Sequence, residues 1–450
     1  MIHDRASSPR FQGTVARAAL VLVLLAGCHS SSSPGNGEST SSGQTGLTIH
    51  AVALDENGAL KEPAKLQTLL QESKDSGVTD VIVLAHGWNN SSTEAMNSYR
   101  DRAAKVQDQA KQNRALRPNP YKPLIIGLIW PSKMWDYGPA VEAAVAPILT
   151  ADQLAALDAS LPRSAAGSEE ERKADFATLS RLAQKKKSDT TPQDRETALT
   201  LFRKYAIKPG DFKHPTPEDQ GFFTTVAPAA SSAPSAMSIF SSIGDAARVF
   251  TFWQMKQRAG IVGENGGAEV LKSVTAGLPS SRIHLFGHSF GCKLVLSAIK
   301  SFAKDRPDAK VDTVVLLQGA ISFQAFADAV TGISPPTPGG YRDDLKAIKG
   351  PVVATYSAHD LPLREAYPLG ARLAGQLGEV TAAIPSRYSA LGAVGIFQEN
   401  PILIKSPGQA YGFKNEQGLF SINGSAKIAG HSEISDPAVA WIEWAAMVRN

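Results

Sequence analysis

The sequence predicts an α/β protein with a mostly parallel central sheet and helices on both faces. Strand and helix signals alternate along the chain, as a parallel sheet with crossover helices requires. The strand candidates are short apolar runs rich in β-branched residues, which is the pattern of strands buried on both faces. With 450 residues, 43% of them hydrophobic, the chain is long enough for one such domain with insertions.

Six strands are expected where these runs occur. They span Thr48–Leu54, Val78–Leu84, Leu124–Trp130, Arg282–Phe286, Val311–Leu317 and Val352–Tyr356. Near the C-terminus, an Asn423-Gly424 dipeptide between alternating residues predicts a β-hairpin over residues 419–428.

The N-terminal residues 1–27 have the composition of a secretory signal. Arg5, Arg10 and Arg17 precede the apolar run Ala18–Leu25, and small residues follow it. Small residues directly before Cys28 resemble a bacterial lipobox. This resemblance implies that residues 1–27 are a lipoprotein signal peptide and that Cys28 carries the lipid. The alternative is a non-lipidated secretory signal that ends in cysteine.

A lipid on Cys28 would anchor the protein in a bacterial cell envelope. The residue after Cys28 is His29 and not an aspartate, which favours the outer membrane in a Gram-negative cell. Residues 28–46 are rich in Ser, Gly and Thr without apolar periodicity, so they are expected to form a flexible tether. Cys292 then has no partner, and no disulfide is expected.

The second strand ends in His86-Gly87-Trp88, and a polar helix follows. Ser91 or Ser92 is the expected N-cap of that helix. Taken alone, His-Gly-Trp is equally well explained as an ordinary turn at a strand end.

The fourth strand runs into Gly287-His288-Ser289-Phe290-Gly291, a Gly-x-Ser-x-Gly pentapeptide, and a helix is expected from Cys292 to Phe302. In this context the serine lies on a sharp strand-to-helix turn with its hydroxyl exposed. The two glycines are needed because such a turn leaves no room for a Cβ beside the nucleophile.

Two further polar residues follow in the chain order of a hydrolytic triad. Asp360 comes at the end of the buried-strand pattern that contains the strand Val352–Tyr356. His431 precedes a helix over Ala438–Met447, for which Ser435 is the expected cap. The order Ser289, Asp360, His431 resembles that of the α/β-hydrolase superfamily, especially its lipase and esterase branches.

This resemblance covers the chain from about Leu47 to the C-terminus. It implies an α/β-hydrolase fold over residues 47–450, with Ser289 as nucleophile, His431 as general base and then acid, and Asp360 as the residue that orients it. Backbone N–H groups of Trp88 and Phe290 are expected to form the oxyanion hole.

Other residues compete for these roles. Asp328, after the strand Val311–Leu317, is the alternative acid, but it falls inside the helix-like run Phe323–Asp328. His284 is expected to be a core residue and His359 a neighbour of the acid, while His288, His50 and His214 lack supporting context. The chain has no His-x-x-His or Cys-x-x-Cys spacing, so no metal site is expected.

Two insertions are expected at the edge of the sheet that presents the nucleophile. Residues 131–242 separate the third strand from the resumed fold, and such a large cap-like insertion would cover the site as a lid or substrate-binding element. The alternative is that its apolar residues only bury the insertion against the domain. Residues 361–418 form the second insertion, between the acid and the histidine.

Charge and motifs together define the expected function. Without residues 1–27 the chain carries 43 basic and 41 acidic side chains, and this near balance argues against a nucleic-acid partner. We expect an esterase or lipase that acts on a small-molecule or lipid ester without a cofactor. The alternatives are a peptidase or amidase with the same triad, and a non-catalytic envelope lipoprotein.

Overall fold

Eight strands form one fully parallel sheet in the computed structural model, which describes residues 47–117, 120–133, 168–183, 189–205, 216–218, 255–367, 388–413 and 417–450. The strand order is β1-β3-β2-β4-β5-β6-β8-β7. The strands are β1 Ile49–Ala53, β2 Asp80–Ala85, β3 Pro123–Ile129, β4 Arg282–His288, β5 Thr313–Leu317, β6 Pro351–Tyr356, β7 Pro401–Leu403 and β8 Gly418–Asn423. The predicted α/β class is confirmed, and the six predicted strands all occur within two residues of their expected ends.

Helices connect the strands. They are α1 Pro63–Asp75, α2 Ser92–Gln112, α3 Glu169–Ala183, α4 Pro192–Tyr205, α5 Ala268–Gly277, α6 Phe290–Asp305, α7 Leu391–Val394 and α8 Pro437–Val448. Residues 255–262 are also helical and continue through a π-helical segment, Gly263–Gly267, into α5. Short 3₁₀ turns occur at Arg114–Leu116 and Asp343–Ala347, and a π turn at Pro362–Ala366.

The sheet has an apolar core on each face. Side chains alternate across it, so Val81 and Val83 of β2 pack in a cluster with α1, α5 and α6, whereas Ile82 and Leu84 pack in a cluster with α2 and α8. Because both faces are covered, every residue of β2 is buried. This explains why its sequence is a continuous apolar run rather than an alternating one.

Helix caps follow the sequence signals at α2 but not at α8. Ser91 caps α2 in a capping box: its hydroxyl accepts from the Glu94 N–H, and the Glu94 carboxylate accepts from the Ser91 N–H. The prediction that Ser435 caps α8 is wrong. Asp436 takes this position because Pro437 is the first helical residue, and the Asp436 carboxylate accepts from the Ala438 N–H at 2.8 Å.

Two further local predictions are wrong, and one strand was not predicted. The hairpin over residues 419–428 is a single strand, β8, that pairs in parallel with β6 and β7, and the chain after Asn423 turns back to the sheet. There the Gly424 N–H donates to the carbonyl of Tyr356. The run 323–328 forms turns instead of a helix. Strand β7 was not expected, because a three-residue strand gives no detectable period.

Only parts of the two predicted insertions belong to the described residues. Within residues 131–242, α3 and α4 are joined by ion pairs from Lys204 to Glu171 and Asp175. The carboxylate of Glu218 accepts from the Gly340 N–H at 2.8 Å, which ties the insertion to the domain. The predicted signal peptide, the tether 28–46 and Cys28 lie outside the described residues, as do residues 368–387 of the second insertion. Among the described helices, none combines the length and hydropathy needed to cross a membrane.

Candidate active site

The predicted site residues lie at the point in the sheet where the order of successive strands reverses. From β2 the chain continues to β3 towards one edge, whereas β4, β5 and β6 follow one another towards the other edge. β2 and β4 are direct neighbours, with Ala85 opposite Gly287. In open parallel sheets, the crevice at the carboxyl ends of two such strands is where ligands bind.

Ser289 occupies a strained turn between β4 and α6. Its φ angle is 55°, in the left-handed region that non-glycine residues rarely adopt. Its backbone is fixed from β5, because the Ser289 N–H donates to the Leu317 carbonyl at 3.1 Å and the Ser289 carbonyl accepts from the Ala320 N–H at 3.1 Å. Strain retained under such restraint is typical of functional positions.

The two glycines of the turn are required by close packing, as predicted. A Cβ on Gly291 would lie 2.2 Å from the carbonyl oxygen of Ala85, and one on Gly287 would lie 2.7 Å from the backbone nitrogen of Cys292. Neither distance is compatible with a side chain. The same close approach extends to Gly87, where a Cβ would lie 2.7 Å from the Cβ of Ser289.

Ser289, His431 and Asp360 form a continuous hydrogen-bonded chain. Ser289 Oγ lies 2.8 Å from His431 Nε2, and His431 Nδ1 lies 2.8 Å from Asp360 Oδ2. Because a carboxylate only accepts, Nδ1 carries the proton and Nε2 is left to accept from the serine hydroxyl. This is the arrangement that allows an imidazole to take a proton from an attacking hydroxyl group.

Asp360 is fully buried and its oxygens have several donors. Oδ1 accepts from the Leu363 N–H at 3.0 Å, and Oδ2 accepts from Gln318 Nε2 at 2.7 Å as well as from His431. A buried carboxylate needs such partners, because unpaired charge is costly away from water. The side chain is therefore fixed in position facing His431.

The His86-Gly87-Trp88 turn is braced by the imidazole of His86. Its Nε2 accepts from the Trp130 N–H at 3.3 Å, so its protonated Nδ1 donates to the Gly87 carbonyl at 2.9 Å. The His86 ring also stacks on Trp130. Burial lowers the pKa of His86 to about 4, so the ring is neutral near pH 7 and the two hydrogen bonds persist.

The two predicted oxyanion-hole residues flank Ser289. Phe290 is the first residue of α6, and N–H groups at a helix N-terminus point along the axis towards negative charge. Trp88 follows Gly87 at the end of β2, and its ring centroid lies 6.1 Å from that of Phe290. The turn after β2 and the start of α6 therefore lie on the same side of the crevice.

His288 contacts His431 rather than the hydroxyl of Ser289. Its Nε2–H donates to the backbone carbonyl of His431 at 2.9 Å, and the two ring centroids are 5.1 Å apart. Burial, followed by the neighbouring His431, holds the pKa of His288 well below its ordinary value. This contact could not be predicted from the sequence, because the position between glycine and serine in the motif carries no signal of its own.

The competing residues lie away from Ser289. Asp328 is exposed and pairs with Arg342 at 2.7 Å. His284 is buried at the opposite end of β4, where its Nε2 faces Asp80 at 3.1 Å. His50 lies in β1 at the far side of the sheet, and the side chain of His359 is exposed beside Asp360. His214 lies outside the described residues.

Sequence reasoning missed Gln318, which the structure places directly behind Asp360. Gln318 follows β5 and has a φ angle of 46°. A polar residue at the end of a buried strand was the available signal, but the prediction considered only carboxylates at this position.

Cys292 is not part of the hydrogen-bonded chain of Ser289, His431 and Asp360. Cys292 is buried and unpaired, and burial raises the pKa of its thiol, which is the behaviour of a packing residue. Among the residues that the structure describes, no three His, Cys, Asp or Glu side chains cluster so that they could hold a metal ion.

Comparisons with known proteins give no match: no family model, no curated protein and no solved structure matches this chain. The functional interpretation therefore depends on the geometry around Ser289 and on its place in the sheet.

Proposed function

We propose that the chain is a serine hydrolase of the α/β-hydrolase type that cleaves carboxylic esters. The observation that carries this proposal is the hydrogen-bonded chain from Ser289 Oγ through His431 to Asp360, with 2.8 Å at both links. The three residues come from the ends of three different strands, which is how parallel sheets assemble catalytic groups. A buried structural network has no need of a nucleophile on a strained turn.

In the proposed reaction, His431 Nε2 takes the hydroxyl proton as Ser289 Oγ attacks the acyl carbon. Asp360 keeps the proton on Nδ1 and stabilises the imidazolium that forms. His431 then donates its proton to the leaving alcohol, and an acyl-enzyme remains on Ser289. Water, activated by the same histidine, releases the acid.

Negative charge on the carbonyl oxygen would be stabilised by the N–H groups of Trp88 and Phe290. Preorganised donors at this position are worth about 3 to 4 kcal/mol each in related chemistry. His86 supports the Trp88 donor indirectly, because it fixes the Gly87 carbonyl, which belongs to the same planar peptide group as the Trp88 N–H.

We also propose that the protein is anchored in the cell envelope by a lipid on Cys28. An anchor in the membrane would bring the site to lipid or small-molecule esters, so lipase action is a sub-case of the proposed activity. No cofactor or nucleic acid takes part in this chemistry.

Labelling with a fluorophosphonate probe tests the proposal, because such probes react only with an activated serine. We expect labelling of Ser289 in the wild-type protein and its loss in Ser289→Ala. Ser301→Ala, a substitution farther along α6, is the matched control and should label normally. The proposal fails if the wild-type protein is not labelled or if Ser289→Ala is labelled as well.

A substrate panel distinguishes ester from amide cleavage. We expect p-nitrophenyl esters to be hydrolysed, with Ser289→Ala lowering the rate by several orders of magnitude because loss of one triad member disables the unit. Preferential cleavage of a peptide anilide would instead identify a peptidase or amidase.

A further inference from the structure

Gln318 is the residue that most directly contacts the proposed orienting carboxylate. Its Nε2 donates to Asp360 Oδ2 at 2.7 Å, the oxygen that also accepts from His431 Nδ1 at 2.8 Å. Two donors on one oxygen restrict its position more than either does alone, because the carboxylate can rotate only by stretching one of the two bonds.

The amide of Gln318 is itself fixed at every polar atom. Its second N–H donates to the Gly392 carbonyl at 3.2 Å, and its Oε1 accepts from the Thr355 hydroxyl at 3.0 Å. The Thr355 oxygen in turn accepts from the Gln318 backbone N–H at 3.1 Å. Since the Asp360 carboxylate and the Gly392 carbonyl are both acceptors, the NH2 group must face them, and Oε1 is left for the Thr355 hydroxyl.

The backbone of Gln318 is strained, and the strain is placed beside Ser289. Gln318 has a φ angle of 46°, and Leu317, directly before it, and Ala320, two residues after it, hydrogen-bond to the backbone of Ser289. Glycine would remove the conformational cost but would offer no donor. A strained non-glycine residue at such a site indicates that its side chain is needed.

We propose that Gln318 is a positioning residue of the hydrolase, which holds the Asp360 carboxylate in the orientation that faces His431. This inference rests on the proposed function. Gln318 does not contact the reacting atoms, and it acts only through Asp360.

The charges around His431 permit a clean test of this role. His288, at the end of β4, contacts His431, and it also senses the charges of Arg102 in α2 and His86 in the turn after β2. In sequence, His359 directly precedes Asp360 and Glu433 follows His431 by two residues. The pKa of His86 is lowered to about 4 and that of His288 is held well below its ordinary value. His359 and Glu433 are exposed, so solvent screens them.

Gln318→Glu keeps the shape of the side chain and replaces the donor with an acid. Once this acid ionises, a second negative charge beside Asp360 favours the protonated imidazole of His431. We expect the acid limb of kcat/KM for a p-nitrophenyl ester to move to higher pH by about one unit. Gln318→Met, which removes the donor without adding charge, should lower kcat about tenfold with little change in KM.

Gln398→Glu is the matched control. Gln398 is also a glutamine with a left-handed backbone, at φ 63°, but its side chain is exposed and away from Asp360. The same change of residue and charge there should leave both kcat and the acid limb unchanged. If Gln318→Met does not fold, Thr355→Ser and Thr355→Val replace it as a pair: Ser keeps the hydroxyl that bonds the Gln318 amide and backbone N–H, and Val removes it.

A readout independent of turnover is the Nδ1 proton resonance of His431 in protein labelled with ¹⁵N-histidine. We expect it in the wild-type protein and expect it shifted or lost in Gln318→Met. The inference is overturned if the Gln318 variants keep the wild-type kcat, acid limb and resonance, or if they lose only thermal stability while the acid limb stays in place. Failure of the proposed function is distinguishable, because the wild-type protein itself would then resist the fluorophosphonate probe.

Discussion

Asp360 and His431 are held at this site by hydrogen bonds from several different segments of the chain. Asp360 Oδ1 is held by the backbone of Leu363 and Oδ2 by a side chain from β5, while the His431 carbonyl is held by His288 from β4. Errors in the position of one element are therefore not passed directly to the reacting atoms. Such support from surrounding groups is what keeps a reactive geometry within a fraction of an ångström.

At the residue scale, we expect Asp360→Asn to lower kcat for ester hydrolysis by roughly 10³- to 10⁴-fold. An amide at this position donates as well as accepts, so it stabilises the wrong tautomer of His431. Steady-state kinetics with a p-nitrophenyl ester measures the effect. Asp328→Asn is the control and should be close to wild type, because Asp328 is exposed and pairs with Arg342. The reverse result would exchange the two residues' roles.

At the scale of elements, α2 and α8 are joined by one buried ion pair. Arg102 of α2 and Glu443 of α8 are in contact, with side chains 3% and 2% exposed. Burial raises the pKa of Glu443, and the positive charge of Arg102 opposes this change. α8 is otherwise almost entirely apolar, so this pair is the polar contact that orients the two helices on their face of the sheet.

We expect Arg102→Met to lower the free energy of unfolding by about 3 to 5 kcal/mol, because it leaves Glu443 buried without a partner. Combining it with Glu443→Leu should recover most of the loss. Lys105→Met is the matched control: Lys105 pairs with Asp101 on the exposed side of α2, so its removal should cost under about 1 kcal/mol. Urea unfolding measures all four proteins. Equal losses for Arg102→Met and Lys105→Met would contradict the prediction.

The sequence predicts elements with a strong local pattern and misses those defined by their neighbours. β2 and β4 are recognisable because burial on both faces leaves mostly apolar residues along their length, such as Val81–Ala85 of β2. β7 exists only because β8 offers it a hydrogen-bonding edge, and no local pattern encodes that. At the site, Ser289 is marked by glycines that close packing requires, whereas the amide of Gln318 is significant only once β5 and β6 are adjacent.

At the scale of the whole molecule, acid should destabilise the fold from about pH 6.5 downwards. The pKa of His86 is about 4 in the folded chain and near 6.5 when it is exposed, so between these values the unfolded state binds the proton and the folded state does not. Stability is therefore complete above pH 6.5 and falls as pH decreases to 4, by about 3 kcal/mol from His86. His288 acts in the same direction.

Urea unfolding at pH 7, 6, 5 and 4 measures this dependence. In His86→Gln the free energy of unfolding should be lower at pH 7, because two hydrogen bonds are altered, but its decrease between pH 6.5 and 4 should be less steep. An unchanged slope in this variant would show that other groups cause the acid sensitivity.

The proposed lipid anchor on Cys28 also concerns the whole molecule. We expect Cys28→Ser to release the protein from membrane fractions and to leave ester hydrolysis unchanged, because Cys28 and the catalytic groups are far apart in sequence. Fractionation and metabolic labelling with an alkynyl fatty acid check this. Fatty-acid labelling that persists in Cys28→Ser would contradict the lipoprotein proposal.

The order of the strands also limits when the protein can become active during synthesis. β7 leaves the ribosome before β8 yet pairs only with β8, so the edge of the sheet must wait for residues that follow it. His431 comes after β8, and α8 packs against α2, which was made more than 300 residues earlier. Contacts so distant in the chain form late in folding. If the proposed mechanism holds, a nascent chain that already contains Ser289 has the nucleophile but lacks the base until His431 has been added.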